Sequence, residues 1–249
     1  MTQLVNLLSK LSISAPLPIR IDFKELRKIR QCNNTVLACK SIINRDTINI
    51  NKNELIRTLV DIEMTSDEFH TKCENDKQFL KLAAGRLSIC SSRQGSLDEQ
   101  EQLRVCNQVS EKYGINISKL SSVAVRPTKN GKIITNKEKK KDKITNDMCL
   151  KSFDGKISGK INGFITAKVA FGSGGHQDNV FAELDTMASW WEQYMNGVDD
   201  MLLILCDTDY IESYNRLVQK YEKTTNIKII NHYDFQKYII ENYKCDCIS

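Results

Sequence analysis

Hydrophobic and polar positions give the chain two textures. From Asp22 to Tyr113, apolar residues recur at three- and four-residue intervals, the spacing of one helix face. Asp22–Arg30 reads as a charged amphipathic helix, and Asn53 can cap a segment Glu54–Met64 carrying Leu55, Leu59 and Ile62. Ser66 or Asp67 opens a helix to about Leu87, with Phe69, Cys73, Phe79, Leu80 and Ala83 inward. Ser96-Leu97-Asp98-Glu99 has the pattern of a capping box, in which the Ser hydroxyl and the Glu carboxylate each satisfy a free amide hydrogen. The helix it predicts has Leu103, Cys106, Val109 and Tyr113 on one face and stops at Gly114.

Beyond Gly114 the pattern turns to short apolar runs. Ser121–Arg126 is strand-like, Lys129-Asn130-Gly131-Lys132 is a turn into Ile133 and Ile134, and Lys137–Lys143 is a solvated loop. Cys149–Phe153 and Lys156–Ile161 are predicted strands on either side of Asp154-Gly155. Gly163 precedes a third strand, Phe164–Phe171. Gly172-Ser173-Gly174-Gly175 then leads into a helix from His176 to about Asn196, whose inward stripe is Val180, Leu184, Met187, Trp191 and Tyr194. Met201–Cys206, apolar throughout, is a fully buried strand. Helix, strand and helix follow at Tyr210–Lys223, Ile227–Ile230 and Tyr233–Asn242. The class is α/β or α+β, with a helical N-terminal region over residues 1–92 and a sheet-bearing core over 93–249.

Composition changes this picture little. The chain has 249 residues, 41% hydrophobic and 27% charged, as in ordinary globular proteins, which excludes collagen-like, mucin-like and wholly disordered classes. The longest apolar run, Met201–Cys206, is far short of a membrane span. No basic stretch precedes Leu4 and Lys10 interrupts the apolar start, so no signal peptide and no membrane partner are expected. Between Thr128 and Asn146 stand seven Lys against one Glu and one Asp, which accounts for the whole net charge of +5. Lys139, Lys140 and Lys141 there suit sequence-independent contact with phosphates, or simply a solvated surface. The nine Cys form no CxxC pair, which speaks against structural zinc and for reduced thiols in a cytoplasmic compartment.

The chemistry concentrates between Asp154 and Glu183. Thr166 and Lys168, two apart on a strand, share a face. A lysine in such a strand is costly to desolvate unless it faces a site or an anion. Carboxylates can arrive from Asp154 and from Asp178 or Glu183 on the next helix. Two carboxylates with a backbone carbonyl and a lysine suit a hard cation such as Mg²⁺ beside an attacked phosphate.

The order of Asp154, a hairpin, an x-A-K triplet ending at Lys168, a glycine-rich turn, Gln177 on a helix and a buried strand resembles the PD-(D/E)XK nucleases. Within them it is most similar to type II restriction endonucleases. The resemblance covers about the last 150 residues and implies an αβββαβ core. The sequence departs from the motif at Phe153, where the family has proline, and at Thr166, where it has an acid. Some restriction enzymes move that acid to the following helix, about four turns beyond the lysine; Glu183, fifteen positions after Lys168, fits, with Asp178 as the weaker alternative. The resemblance thus implies Asp154 and Glu183 as metal ligands with the Ala167 carbonyl, and Lys168 as the catalytic lysine. It also implies Mg²⁺ as cofactor, a homodimer on double-stranded DNA, and a separate methyltransferase protecting the host.

On the same reading, Arg93, Gln94, Ser173, Gly174, Gly175, His176, Gln177 and Asn179 are candidates to contact DNA, Gln and Asn being suited to adenine. Glu99 is chiefly a capping residue, though the first core helix borders the metal site in this class. Trp191 belongs to the core and Trp190 to an exposed dimer surface, while Asp207 and Asp209 are turn or cap residues. Two alternatives stay open: a DNA-binding protein whose core no longer cuts, motivated by Thr166, and a nucleotide-binding enzyme using the Gly172–Gly175 turn.

Overall fold

Glycine and proline scarcity lets the N-terminal helices run, and short polar side chains decide where they stop. A computed structural model describes residues 16–88, 94–121, 124–171 and 176–245, without the side chains of 94 and 176–178. Asp22 caps α1 (Phe23–Ile43) by accepting from the Glu25 amide, so the helix continues well past Arg30. Asn51, two residues earlier than expected, caps α2 (Lys52–Asp61). The expected helix to Leu87 is two. Asp76 adopts an extended conformation that ends α3 (Ser66–Asn75), and its side chain accepts from the Gln78 and Phe79 amides to start α4 (Lys77–Leu87). Ile21–Leu97 forms one compact unit, with Ala38, Ile42, Phe69, Cys73, Ala84 and Leu87 in its core.

The second unit begins at Asp98 and includes the segment ending at Arg20. Helix α5 (Gln94–Ser110) starts two residues before Ser96, so Ser96 is inside the helix and the capping box expected there does not form. A five-stranded mixed sheet follows, in the order β1 (Ile115–Lys119), β4 (Gly155–Gly159), β5 (Gly163–Ala170), β6 (Met201–Thr208) and β7 (Ile227–Ile230). The first three are antiparallel neighbours; β5–β6 and β6–β7 are parallel. Between β1 and β4 the chain inserts a small hairpin of β2 (Val125–Pro127) and β3 (Ile133–Thr135).

The lysine run after β3 is the helix α6 (Asn136–Lys141), not a loop. Thr135 and Glu138 cap it reciprocally, and its lysines lie toward the C-terminal end, where the helix dipole favours them. Cys149–Phe153 is not a strand; Cys149 makes only an isolated bridge to Thr128. β1, with polar residues at alternate positions, takes its place at the sheet edge.

Alternation along β6 builds two cores. Leu203 and Leu205 face α5 and α9 (His232–Asn242), packing with Cys106, Val109, Phe235 and Ile239. Leu202, Ile204 and Cys206 face α7 (His176–Tyr194) and α8 (Ile211–Lys220), packing with Leu184, Trp191 and Leu217. The unit is therefore a mixed sheet between two helical layers. Gly163, at φ +149°, must be glycine, since a Cβ there would lie 1.9 Å from the Met201 carbonyl oxygen on the neighbouring strand. Trp190 is buried, its Nε1 donating to the Thr128 carbonyl at 2.7 Å, so it offers no dimer surface. Tyr194, expected in the buried stripe, is 39% exposed: its ring lies against Gly131 in the β2–β3 turn and its hydroxyl donates to the Lys129 carbonyl. Among the described residues no helix is long and apolar enough to cross a membrane.

Candidate active site

Lys168 stands near the end of β5, past the point where β4 stops pairing with it. Three carboxylates from three places in the chain surround its ammonium. Glu99 Oε1 of α5 is 3.1 Å from Nζ, Glu183 Oε1 of α7 is 3.5 Å away, and Asp154 Oδ2, just before β4, is 3.7 Å away. Glu183 also pairs with Lys151. All four groups of the cluster are mostly buried, Lys168 most of all at 14% exposure.

Asp154 is fixed by backbone as well as by charge. Its amide donates to the Ile165 carbonyl at 2.8 Å, and its Oδ2 accepts from the Ala167 amide at 2.9 Å. In an extended strand a residue's N–H and C=O lie on one edge. Ala167 therefore turns its carbonyl edge, like its amide, toward Asp154.

Glu99 is the larger finding. Helix α5 places Asp98 and Gln102, both fully buried, one turn apart on its inward side, and Glu99 stands next to them. Its carboxylate reaches Lys168 and caps nothing. Gln102 Nε2 donates to the Lys168 carbonyl at 3.2 Å and to Asp207 Oδ2 at 2.5 Å. Asp207 in turn holds His232, Oδ1 to Nδ1 at 2.7 Å, and accepts from the His232 amide. Asp207 is thus a buried anchor and not a turn or cap residue, because position 207 continues the inward face of Leu203 and Leu205.

The electrostatics of the cluster are lopsided. Burial pushes the Asp154 carboxyl above the ordinary carboxylate range despite Lys168 and the Ala167 amide, and it pushes Glu99 the same way. Burial also works against the Lys168 ammonium. Asp154, Glu99 and Glu183 outweigh it and hold that ammonium above the ordinary lysine range. Three carboxylates face Lys168 and the largely exposed Lys151, so with all groups ionised one negative charge is left over. Among the described residues no three His, Cys, Asp or Glu side chains converge as a ready metal cage. The carboxylates meet instead around Lys168. Their oxygens, with the Ala167 carbonyl, are nonetheless the hard donors that Mg²⁺ prefers.

A cleft of about 560 Å³ opens beside the cluster, and Glu99, Asp154 and Lys168 form part of its wall with Arg126 and Lys151. Of the residues expected at the site, Asp154, Lys168 and Glu183 come together, joined by Glu99. Asn179 is exposed on α7, and Lys140 and Lys141 are exposed on α6. Arg93, Ser173, Gly174 and Gly175 lie outside the described residues, and so do the side chains of Gln94, His176, Gln177 and Asp178. Gln102, Arg126 and Lys151 escaped the sequence reading. Gln102 carried a signal, a polar residue among Leu103, Cys106 and Val109 on the inward face of a helix. Arg126 and Lys151 carried none. No protein-family model, no curated protein and no solved structure matches this chain.

Proposed function

We propose that the chain is a Mg²⁺-dependent, site-specific endonuclease of double-stranded DNA, of the type II restriction class with a PD-(D/E)XK-like core. The observation that carries this reading is the convergence of Asp154, Glu183 and Glu99 on Lys168. An αβββαβ order supports it too: α5, β1, β4, β5, α7 and β6 follow one another, with β2, β3 and α6 as an insertion. On this reading Glu183 supplies the acid that Thr166, a short and buried side chain, does not carry.

Asp154, Glu183 and the Ala167 carbonyl would hold the cation, with Glu99 at its border. Such an ion, when bound, supplies positive charge to a phosphate and acidifies water. The chain's own residues do the rest. Lys168, held protonated by its carboxylates, donates to a phosphate oxygen or orients water and stabilises charge growing on phosphorus oxygens. Asp154, tied to the Ala167 amide, keeps its carboxylate fixed against β5. Gln102 keeps the Lys168 backbone in place through its carbonyl. Hydrolysis leaves a 5′-phosphate and a 3′-hydroxyl. A homodimer suits a twofold site in DNA, and the exposed Ile29, Val36, Leu37 and Ile43 on α1 offer apolar surface for one. A protective methyltransferase belongs to the same reading.

Thr166 also favours a second reading, a DNA-binding protein that does not cut: its hydroxyl is buried with no hydrogen-bond partner where the family has an acid. Digestion of unmodified phage DNA with Mg²⁺ or with EDTA separates the two. Discrete Mg²⁺-dependent bands are expected. Uncut DNA from several differently methylated sources, bound with equal strength in both buffers, would replace the nuclease by the binder.

A further inference from the structure

Arg126 is 8% exposed on β2 and lines the cleft beside Lys168. Its Nη1 donates to Asn146 Oδ1 at 3.2 Å, while its Nε is buried with no hydrogen-bond partner. Among the described residues no carboxylate pairs with it. This is a buried cation that no carboxylate neutralises directly. Lys139 of α6 reaches the same Asn146 oxygen. Two cations therefore share one neutral acceptor, an arrangement that an anion between them would stabilise. The Thr135–Glu138 cap fixes α6 directly after β3, and the β2–β3 pairing sets Arg126 opposite Ile134. The insertion between β1 and β4 thus delivers both cations to one place.

We propose that Arg126 and Lys139, braced on Asn146, form an anion subsite that grips a backbone phosphate of a polynucleotide strand lying in the cleft. Arg126 supplies a planar donor and Lys139 a mobile charge, which together hold a phosphate without reading sequence. The proposal rests on the nuclease reading for the identity of the strand, and it assigns the insertion a task, anchoring DNA next to the carboxylate–lysine cluster. Lys140 and Lys141, exposed on the same helix, are not part of it.

The test measures anisotropy of a fluorescein-labelled duplex oligonucleotide over a range of salt concentrations, in EDTA so that nothing is cut. Wild-type protein is compared with Arg126→Ala, Arg126→Lys, Lys139→Gln and Lys140→Gln, each checked for a cooperative melt. Arg126→Ala and Lys139→Gln are expected to weaken binding and to flatten the slope of log K against log salt by about one unit each. Lys140→Gln should change the slope less, and Arg126→Lys should recover part of the loss. Because Lys139 is only half-buried, its variant tests the proposal even if Arg126→Ala does not fold. An unchanged slope in folded Lys139→Gln overturns the subsite. So does a mononucleotide or inorganic phosphate that binds through Arg126 while duplex does not compete. Arg126-dependent duplex binding by a wild-type protein that never cuts keeps the subsite and removes the nuclease. Cutting with an Arg126-independent slope does the reverse.

Discussion

Two polar clusters flank the same end of β5 and β6, and they differ in how their charges are settled. Around Asp207 the donors are matched: Gln102 Nε2, the His232 ring and the His232 amide all meet one buried carboxylate, and only Gln102 Oε1 is left without a partner. Around Lys168 three carboxylates compete for one ammonium and a surface lysine, and two of them are held above their ordinary range first of all by burial. A carboxylate whose charge is met by donors on every side fixes a fold, whereas a cluster left with surplus negative charge is ready for a cation. Gln102 links them, donating to both Asp207 and the Lys168 carbonyl.

The sharpest way to break this comparison is Lys168→Met. It is expected to lower Mg²⁺-dependent cleavage about a thousandfold, the size of losing one preorganised transition-state donor. The variant should still fold, and its binding of uncut duplex in EDTA should change far less. Cleavage within a few-fold of wild type would remove Lys168 from the chemistry.

Asp207→Ala acts on the other cluster and should do the opposite. It strands Gln102 and His232 in the core, so unfolding in urea should show a loss of about 3 kcal/mol. Cleavage assayed well below the melting temperature should persist. A stable Asp207→Ala protein that has lost cleavage would mean that the Asp207 network belongs to the active site.

The third comparison is between the two candidate acids of α7, Glu183 and Asp178. Glu183→Gln is expected to cost about a hundredfold in cleavage and Asp178→Asn to cost little. Equal losses would mean that the acid displaced from position 166 is not uniquely Glu183.

How much of this could be read from the chain follows from where the signals are local. β5, α7, β6 and β7 are legible because apolar runs and glycines mark them, and Asp154, Lys168 and Glu183 sit at recognisable spacings along them. The capping role expected of Glu99 fails for a definite reason. The S-x-x-E pattern at Ser96 matches a capping box, yet among the described residues the boxes that form are Thr65–Glu68 and Thr135–Glu138, where the threonine precedes the helix. A pattern of side chains cannot show where the backbone first turns helical. The lysine helix was missed because charge density looks like solvent, and β1 because its edge position leaves only Ile115 and Ile117 buried. Arg126 could not be found at all, since its meaning depends on Asn146 twenty residues away and on carboxylates that fail to reach it.

The smallest effect is also the most specific, and it comes from pH. Asp154 and Glu99 have folded-state pKa values above those of the unfolded chain, burial being the first cause. A raised carboxyl contributes stability below its unfolded pKa, about 4, and loses that contribution as pH rises through the folded value. Lys168 is also raised, so its contribution is complete throughout this range and is lost only in strong alkali. Between about pH 4 and neutrality the metal-free cluster therefore becomes less favourable. A divalent cation binds only the ionised carboxylates, so it should raise the melting temperature more at neutral pH than near pH 5. Glu99→Gln removes one of the raised groups without removing Asp154 or Glu183. It should flatten the metal-free pH profile and leave a Mg²⁺-induced rise in place. If Mg²⁺ stabilises the wild-type protein equally at both pH values, the cation sits elsewhere. If Glu99→Gln abolishes the rise, Glu99 is itself a ligand, and the contrast between a bordering acid and two liganding acids gives way to three equal carboxylates.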